Sequence, residues 1–286
     1  MIRFLPNAKN GSLRMRPNLD PAVNIAIKAA RRAASVINQA ANQLELLNIE
    51  TKAHNDFVTE VDRSAEAVIV DILREAFPEH GILAEESGRS GAGDGHETEY
   101  VWVIDPLDGT TNFIHGFPQY AVSIALTRKG VPEHAVIFNP VSNELFTASR
   151  GRGAYMNDRR IRVSRRLRLA DALLGTGFPF RQFAHIDAYL AMFRELSQKS
   201  VGLRRAGAAT LDLAFVACGR LDGFWEIGLS PWDMAAGTLL IQEAGGFVAD
   251  FDGEGDYLKS GNVVAGTPKV FTELLLTVQS CWNARV

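Results

Sequence analysis

The chain has 286 residues, 47% of them hydrophobic and 22% charged, with a formal net charge of -3. That is the make-up of an ordinary globular protein of one large or two intimate domains, and the charge gives no electrostatic case for nucleic acid or an anionic membrane as the main ligand. No stretch approaches the ~18 apolar residues of a membrane span, and residues 1–18 have no apolar signal core, so a flexible basic arm in a cytoplasmic protein is expected there. The two cysteines, Cys218 and Cys281, lie far apart in no metal-like spacing, and Cys218 reads as a small core residue.

Residues 21–47 place Val23, Ala26, Ala30, Ala33 and Ile37 at spacings of three and four, which predicts a helix. Asn18 or Asp20 can cap it, with Pro21 in its first turn. A polar segment over 50–56 precedes a second predicted helix, 59–77, whose first turn holds Asp62, and the helix dipole alone accounts for an acid at that place. A short apolar strand over 81–84 ends in Glu85-Glu86 and gives way to a Gly-rich polar loop, 88–98. Residues 100–104 read as a buried strand that stops at Asp105, because Pro106 cannot continue a central strand. Segments 121–128, 133–138, 144–149 and 153–156, joined by Gly, Asn and Pro turns, predict an antiparallel meander. The arginine-rich stretch 159–168 alternates with Ile161, Val163 and Leu167 and reads as a surface strand and linker. Beyond it strands (172–178, 202–206, 223–227, 247–251, 262–265) alternate with helices (185–200, 208–218, 232–244, 268–278), an α/β texture unlike the meander. The change predicts a subdomain boundary, with an α+β unit over 19–165 and an α/β unit over 166–286.

One stretch organises the rest: Trp102-Val103-Ile104-Asp105-Pro106-Leu107-Asp108-Gly109-Thr110-Thr111-Asn112-Phe113. Two carboxylates three residues apart sit where a strand becomes a turn, and Gly109 lets backbone approach a ligand. Thr110, Thr111 and Asn112 add hydroxyls, an amide and free N–H groups. Hard divalent cations take such oxygens, and phosphate takes such N–H groups. A polar turn capped by two acids would look the same, so the reading depends on ligands from elsewhere. Glu85 at its strand end and Asp233 at the helix start Ser230-Pro231-Trp232-Asp233 supply them. Four crowded carboxylates repel one another unless cations neutralise them, and two or three Mg²⁺ would do so while leaving positions for water and phosphate oxygens. No Ser-His-Asp or cysteine nucleophile is evident, and His115 and His185 read as bystanders.

The 102–113 stretch resembles the first signature of the inositol monophosphatase family. Pro231-Trp232-Asp233-Met234-Ala235-Ala236-Gly237, with Glu243-Ala244-Gly245-Gly246 after it, resembles the second. Asp56-Phe57-Val58-Thr59-Glu60-Val61-Asp62 and Ala84-Glu85-Glu86-Ser87-Gly88 match pieces between, and the likeness runs from about 21 to about 278.

The resemblance implies a layered αβαβα sandwich of the inositol monophosphatase and fructose-1,6-bisphosphatase (sugar phosphatase) type. It also implies Mg²⁺-dependent hydrolysis of a polyol phosphomonoester, myo-inositol monophosphate above all. Mn²⁺ is a possible substitute, and the 19–165 unit would carry most ligands. By the same resemblance, Glu85, Asp105, the Leu107 carbonyl and Thr110 hold a first metal. Asp105, Asp108 and Asp233 hold a second, and Glu85 reaches a third. Asp62 pairs with Thr110 to position water, so Asp62, Thr110 and Glu85 form the catalytic set. Gly109, Thr110 and Thr111 face the phosphate. Gly207, Ala208, Ala209, Glu226 and Asp233 face the sugar alcohol, and Lys52 belongs to a loop that closes over the metals. Ser230 stands where relatives carry a longer basic or imidazole side chain.

Histidinol phosphate, fructose bisphosphate and nucleotide or dinucleotide phosphates stay open as substrates. The family further implies a homodimer. Its bacterial members also serve in ribosomal-RNA transcription complexes through an elongation factor and RNA polymerase, which leaves a partner-binding role beside catalysis. Neither membrane nor direct DNA binding is expected.

Overall fold

The computed structural model describes residues 20–46, 49–53, 56–91, 98–179 and 183–284. The N-terminal arm anticipated over 1–18 lies outside them. None of the described helices is long and apolar enough to cross a membrane.

Both expected N-terminal helices form and are capped, but the first, expected over 21–47, ends at Ala41, and a short 3-10 turn follows at Leu44–Leu46. Helix α1 (Pro21–Ala41) starts at Asp20, whose carboxylate accepts the Ala22 N–H at 3.0 Å. Helix α2 (Glu60–Ala76) starts at Thr59, which with Asp62 forms a reciprocal capping box. The polar segment before α2 is a hairpin of β1 (Ile49–Ala53) and β2 (Asp56–Thr59), paired antiparallel with a register shift.

The principal sheet has eight strands. Strands β3 (Gly81–Ala84), β4 (Gly88–Ser90), β5 (Tyr100–Asp108), β6 (Ala121–Arg128), β7 (Val131–Asn139), β8 (Glu144–Ser149), β9 (Gly153–Met156) and β10 (Arg159–Arg160) lie in the order β10-β9-β8-β7-β6-β5-β3-β4. The expected antiparallel meander forms from β6 to β9, β5 and β10 extend it antiparallel at its two ends, and β3 joins β5 in parallel. Two expectations fail in this sheet: the loop expected over 88–98 opens with strand β4, and β5 does not stop at Asp105 but runs to Asp108. Pairing with β6 slips between Asp105 and Asp108. Pro106 sits inside that irregularity, the one kind of place where a central strand tolerates a residue without an N–H.

A second sheet of five strands contains β11 (Leu173–Thr176), β12 (Gly202–Arg204), β13 (Gly223–Glu226), β14 (Phe247–Ala249) and β15 (Val263–Gly266), in the order β12-β11-β13-β15-β14. Its helices are α4 (Ile186–Lys199), α5 (Ala209–Ala217), α6 (Pro231–Glu243) and α8 (Pro268–Asn283). Two shorter ones, α3 (Thr110–Ile114) and α7 (Tyr257–Ser260), punctuate turns.

Side-chain alternation along the strands builds the layers. Trp102 and Ile104 of β5 pack with α1 and α2, whereas Val103 faces the α5/α6 layer. Phe224 of β13 and Val263 and Ala265 of β15 meet that same layer from the other side, and Trp225 and Val264 point away to α4 and α8. The result is helix, sheet, helix, sheet, helix: the αβαβα sandwich. Helices α5 and α6 lie between two sheets and are buried on nearly all sides, which is why their sequences are apolar without a polar face. Gly237 permits their contact, since a Cβ there would fall 2.5 Å from Leu213 Cβ. Both helices start at the edge of the middle layer, beside the end of β5.

Candidate metal and substrate site

The end of β5 carries Asp105, which is 1% exposed. Its Oδ1 accepts the Leu107 N–H at 3.0 Å, turning the chain past Pro106. Asp233 comes from the first turn of α6, where its Oδ2 accepts the Ser230 N–H at 2.7 Å. Asp108 is held by α5, because its Oδ2 accepts the Thr210 N–H at 2.8 Å and the Thr210 hydroxyl. Asp105, Asp108 and Asp233 thereby each offer an oxygen, all within 4.8 Å of one another. Glu85 follows β3 directly, and its N–H donates to the Ile104 carbonyl at 3.1 Å, which sets it beside Asp105. The two carboxyl groups are hydrogen-bonded. Burial, and after it the charges of Glu85, Asp108 and Asp233, push Asp105 well above the usual carboxylate range.

The donor set fits a hard divalent cation. All donors are oxygens, and two ligands on one such ion lie roughly 4–5 Å apart across it at metal–oxygen distances of 2.0–2.6 Å. The cluster matches that span and gathers carboxyl groups whose mutual repulsion a cation would relieve.

Thr110 and Asp62 are brought together from 48 residues apart: the Thr110 hydroxyl lies 2.9 Å from Asp62 Oδ1 and 3.1 Å from the Leu107 carbonyl. Asp62 Oδ2 accepts both the N–H (2.8 Å) and the hydroxyl (2.6 Å) of Thr59. The capping box therefore also aims Asp62 at the turn. Gly109 takes φ +90°, and a Cβ on it would lie 2.8 Å from the Gln119 carbonyl, so glycine alone fits there. The N–H groups of Gly109, Thr110 and Thr111 open a helix of only five residues. So short a helix has little macrodipole, and these groups are available as individual donors.

A cavity of about 410 Å³ lies over this floor. Glu85, Asp105, Leu107, Asp108, Gly109, Thr110, Thr111 and Asp233 line it, together with Gly207, Ala208, Ala209 and Glu226 from the far side. Of the expected catalytic, substrate and metal residues, Asp62 is absent from the lining and meets the cavity wall at the Thr110 hydroxyl. Lys52 belongs to β1, and its side chain lies outside the description. His115 and His185 do not line the cavity.

Several supporting residues escape sequence reasoning. The Asn112 amide donates to the carbonyls of Gln119 (2.7 Å), Ala206 (2.9 Å) and Gly207 (3.2 Å), stapling the turn to the opposite wall. Glu66, one helical turn beyond Asp62, accepts the N–H groups of Glu86 (2.8 Å) and Ser87 (2.9 Å) and so anchors the loop that carries Glu85. The i, i+4 spacing to Asp62 was its signal. Glu66→Ala is expected to leave those two N–H groups without an acceptor and to cost about 1–3 kcal/mol in urea unfolding. A change inside experimental error would contradict that anchoring. Asp212 and Arg205 also line the cavity, and Asp212 signalled itself as the one acid in an apolar run, Leu211-Asp212-Leu213-Ala214-Phe215.

Burial pushes Glu226 and Asp212 well above the usual carboxylate range. Asp212 and Asp233 add to the rise in Glu226, Asp108 adds to that in Asp212, and Arg205 opposes both.

Five alternating layers, with acids converging where the central strand ends and the two middle helices begin, define a phosphatase-type sandwich, and the sequence profile of the inositol monophosphatase family matches residues 18–283. The chain belongs to the inositol monophosphatase family. Within it, the chain is 57% identical to the Nus factor SuhB of Pseudomonas aeruginosa over 264 residues, 91% of this chain and 97% of that one. It is 48% identical to the Escherichia coli protein of the same name, at the same coverage. Among solved structures it is similar to the extragenic suppressor protein SuhB of Bartonella henselae (42% identity, TM-score 0.87, 91% and 99% covered). The inositol monophosphatase of Anabaena is similar too (41% identity, TM-score 0.79, 90% and 95% covered).

Proposed function

We propose that the protein is a Mg²⁺-dependent phosphomonoesterase of small polyol phosphates, with myo-inositol monophosphate as the preferred substrate. The observation that carries this reading is the convergence of Asp105, Asp108 and Asp233 within 4.8 Å at the floor of a cavity. Glu85, Asp105, the Leu107 carbonyl and Thr110 would hold one ion, Asp105, Asp108 and Asp233 a second, and Glu85 a weaker third. Ions held by these residues would neutralise phosphate charge and lower the pKa of bound water.

The chain's own groups do the rest. The N–H groups of Gly109, Thr110 and Thr111 receive phosphate oxygens. Thr110 Oγ1 orients the attacking water, and its own proton is directed to Asp62 Oδ1, 2.9 Å away. As water adds to phosphorus it gives up a proton through Thr110 Oγ1 to Asp62. The ester P–O bond breaks with its electron pair going to the alkoxide oxygen, and that oxygen takes a proton from solvent water to leave as the free alcohol. Glu226, with the backbone of Gly207, Ala208 and Ala209, receives the hydroxyl-bearing end.

A phosphate-release assay over inositol monophosphate, histidinol phosphate, fructose 1,6-bisphosphate and a dinucleotide phosphate tests this reading. Negligible turnover of the inositol ester beside ready turnover of another overturns the substrate. The metal is tested apart from turnover. Mg²⁺ at 100 times its dissociation constant is expected to stabilise the fold by about 2.7 kcal/mol, read as a rise in melting temperature that EDTA reverses. No rise would contradict the metal assignment.

The name Nus factor, borne by relatives as similar as 57%, favours a second role in a transcription elongation complex. Asp105→Asn and Asp233→Asn are expected to abolish hydrolysis and to leave pull-down of the elongation machinery intact. Parallel loss of both would argue against separable roles. The same family reading proposes a cytoplasmic homodimer.

A further inference from the structure

Asp212 and Glu226 differ from the other buried acids. They are 3% and 7% exposed and line the cavity, yet neither carboxyl group has a hydrogen-bond or ion-pair partner among the described residues. The remaining buried acids are all bonded. Asp62 and Glu66 are satisfied as described, Asp105 by the Leu107 N–H and Asp233 by the Ser230 N–H. Asp222 accepts from the Leu173 N–H and the Ser164 hydroxyl, and Asp250 from the N–H groups of Asp252 and Glu254. Buried polar groups in proteins are bonded as a rule, and exceptions call for a ligand that completes them.

The place is built for these two groups. Gly177, just past β11, leaves room for Glu226, since a Cβ there would fall 1.9 Å from Glu226 Oε1. A Cβ on Gly175 would stand 3.6 Å from Asp212 Cβ. Arg205 lies 5.1 Å from the centroid of the Phe178 ring and forms an ion pair with neither acid, so the three charged groups face the cavity without closing it. Two adjacent carboxyl groups, one from α5 and one from β13, present acceptor oxygens to hydroxyl hydrogens.

We propose that Asp212 is a substrate-contacting specificity residue: it shares with Glu226 the hydroxyl groups of a polyol phosphate seated over the acidic cluster, and it repels substrates that bear a second anion at that end. The proposal rests on the polyol reading above and names a residue for it.

The test is the ratio of kcat/KM for myo-inositol 1-phosphate to that for p-nitrophenyl phosphate, which offers no hydroxyls. Asp212→Ala is expected to lower that ratio about 10- to 100-fold, the loss of one hydrogen bond to a charged acceptor. Asp212→Asn, isosteric and still an acceptor through its carbonyl, falls between and keeps the test open if the alanine variant fails to fold. In both variants turnover of fructose 1,6-bisphosphate rises relative to the inositol ester. Proportional losses on both monoesters, an unchanged ratio, or a loss confined to an amino-alcohol ester such as histidinol phosphate would each overturn the assignment. A wild-type protein that hydrolyses p-nitrophenyl phosphate but not inositol phosphate overturns the polyol reading itself. A wild-type protein that hydrolyses both, with the variants' ratio at the wild-type value, overturns only the role of Asp212.

Discussion

Asp105→Asn is expected to cut phosphate release by about 10³-fold or more and, in metal-free protein, to raise the melting temperature. Both effects have one cause. The Asp105 carboxyl is buried against Glu85, Asp108 and Asp233, a cost that cations shared with its neighbours would offset under the proposed function. An amide keeps the shape and the acceptor for the Leu107 N–H, removes the repulsion, and surrenders the bridging charge. Charge stabilisation by a bound ion is worth several kcal/mol, and each 1.36 kcal/mol is tenfold in rate. The variant should therefore lose most of the Mg²⁺-induced stabilisation along with its activity. Scanning calorimetry with and without Mg²⁺, beside a phosphate-release assay, checks both halves. A variant that is inactive and less stable without metal would point to misfolding instead.

Asp62→Ala is expected to damage stability and rate together, and Asp62→Asn to separate them. Asp62 receives the Thr59 N–H and hydroxyl and faces the Thr110 hydroxyl. Alanine removes the capping box, worth ~1 kcal/mol, and leaves a buried N–H unpaired, about 1–3 kcal/mol more. Because it also removes the group that orients Thr110, a rate loss of about 10²–10⁴-fold is expected, the range for a positioned acid or base. Asparagine restores an acceptor on one side only, so it should recover part of the stability and little of the rate. Urea unfolding and kcat at saturating Mg²⁺ measure the two. Full activity in Asp62→Asn would remove Asp62 from any proton path.

Much of the layered fold was legible because its signals are local. Spacings of three and four predicted α1 and α2, alternation and turn residues predicted the meander from β6 to β9, and strand–helix alternation predicted the second sheet. The misses also have physical reasons. Residues 50–56 look polar because their hairpin is small, so β1 and β2 carry no apolar alternation to read. Pro106 argued for a strand end at Asp105, but the register slip against β6 accommodates it. The four residues of α7 follow an Asp-rich turn and bury little beyond Tyr257.

For the site, the sequence by itself determined the chemistry of the floor. Asp105, Asp108 and Gly109 are contiguous, so the two acids and the left-handed glycine are a local property of one turn. Asp233 and Glu85 were legible because each stands at the end of its own element. What only the tertiary structure decided is which distant groups meet. Asp62 reaches Thr110 because α2 docks beside β5, Glu66 clamps the Glu85 loop from the next turn of that helix, and Asn112 ties the turn to Gly207. Asp212 and Glu226 become neighbours only when α5 and β13 stack on one cavity, where burial strips them of water and leaves them unpaired. Contacts across tens of residues depend on how layers pack, and no local pattern encodes that pairing.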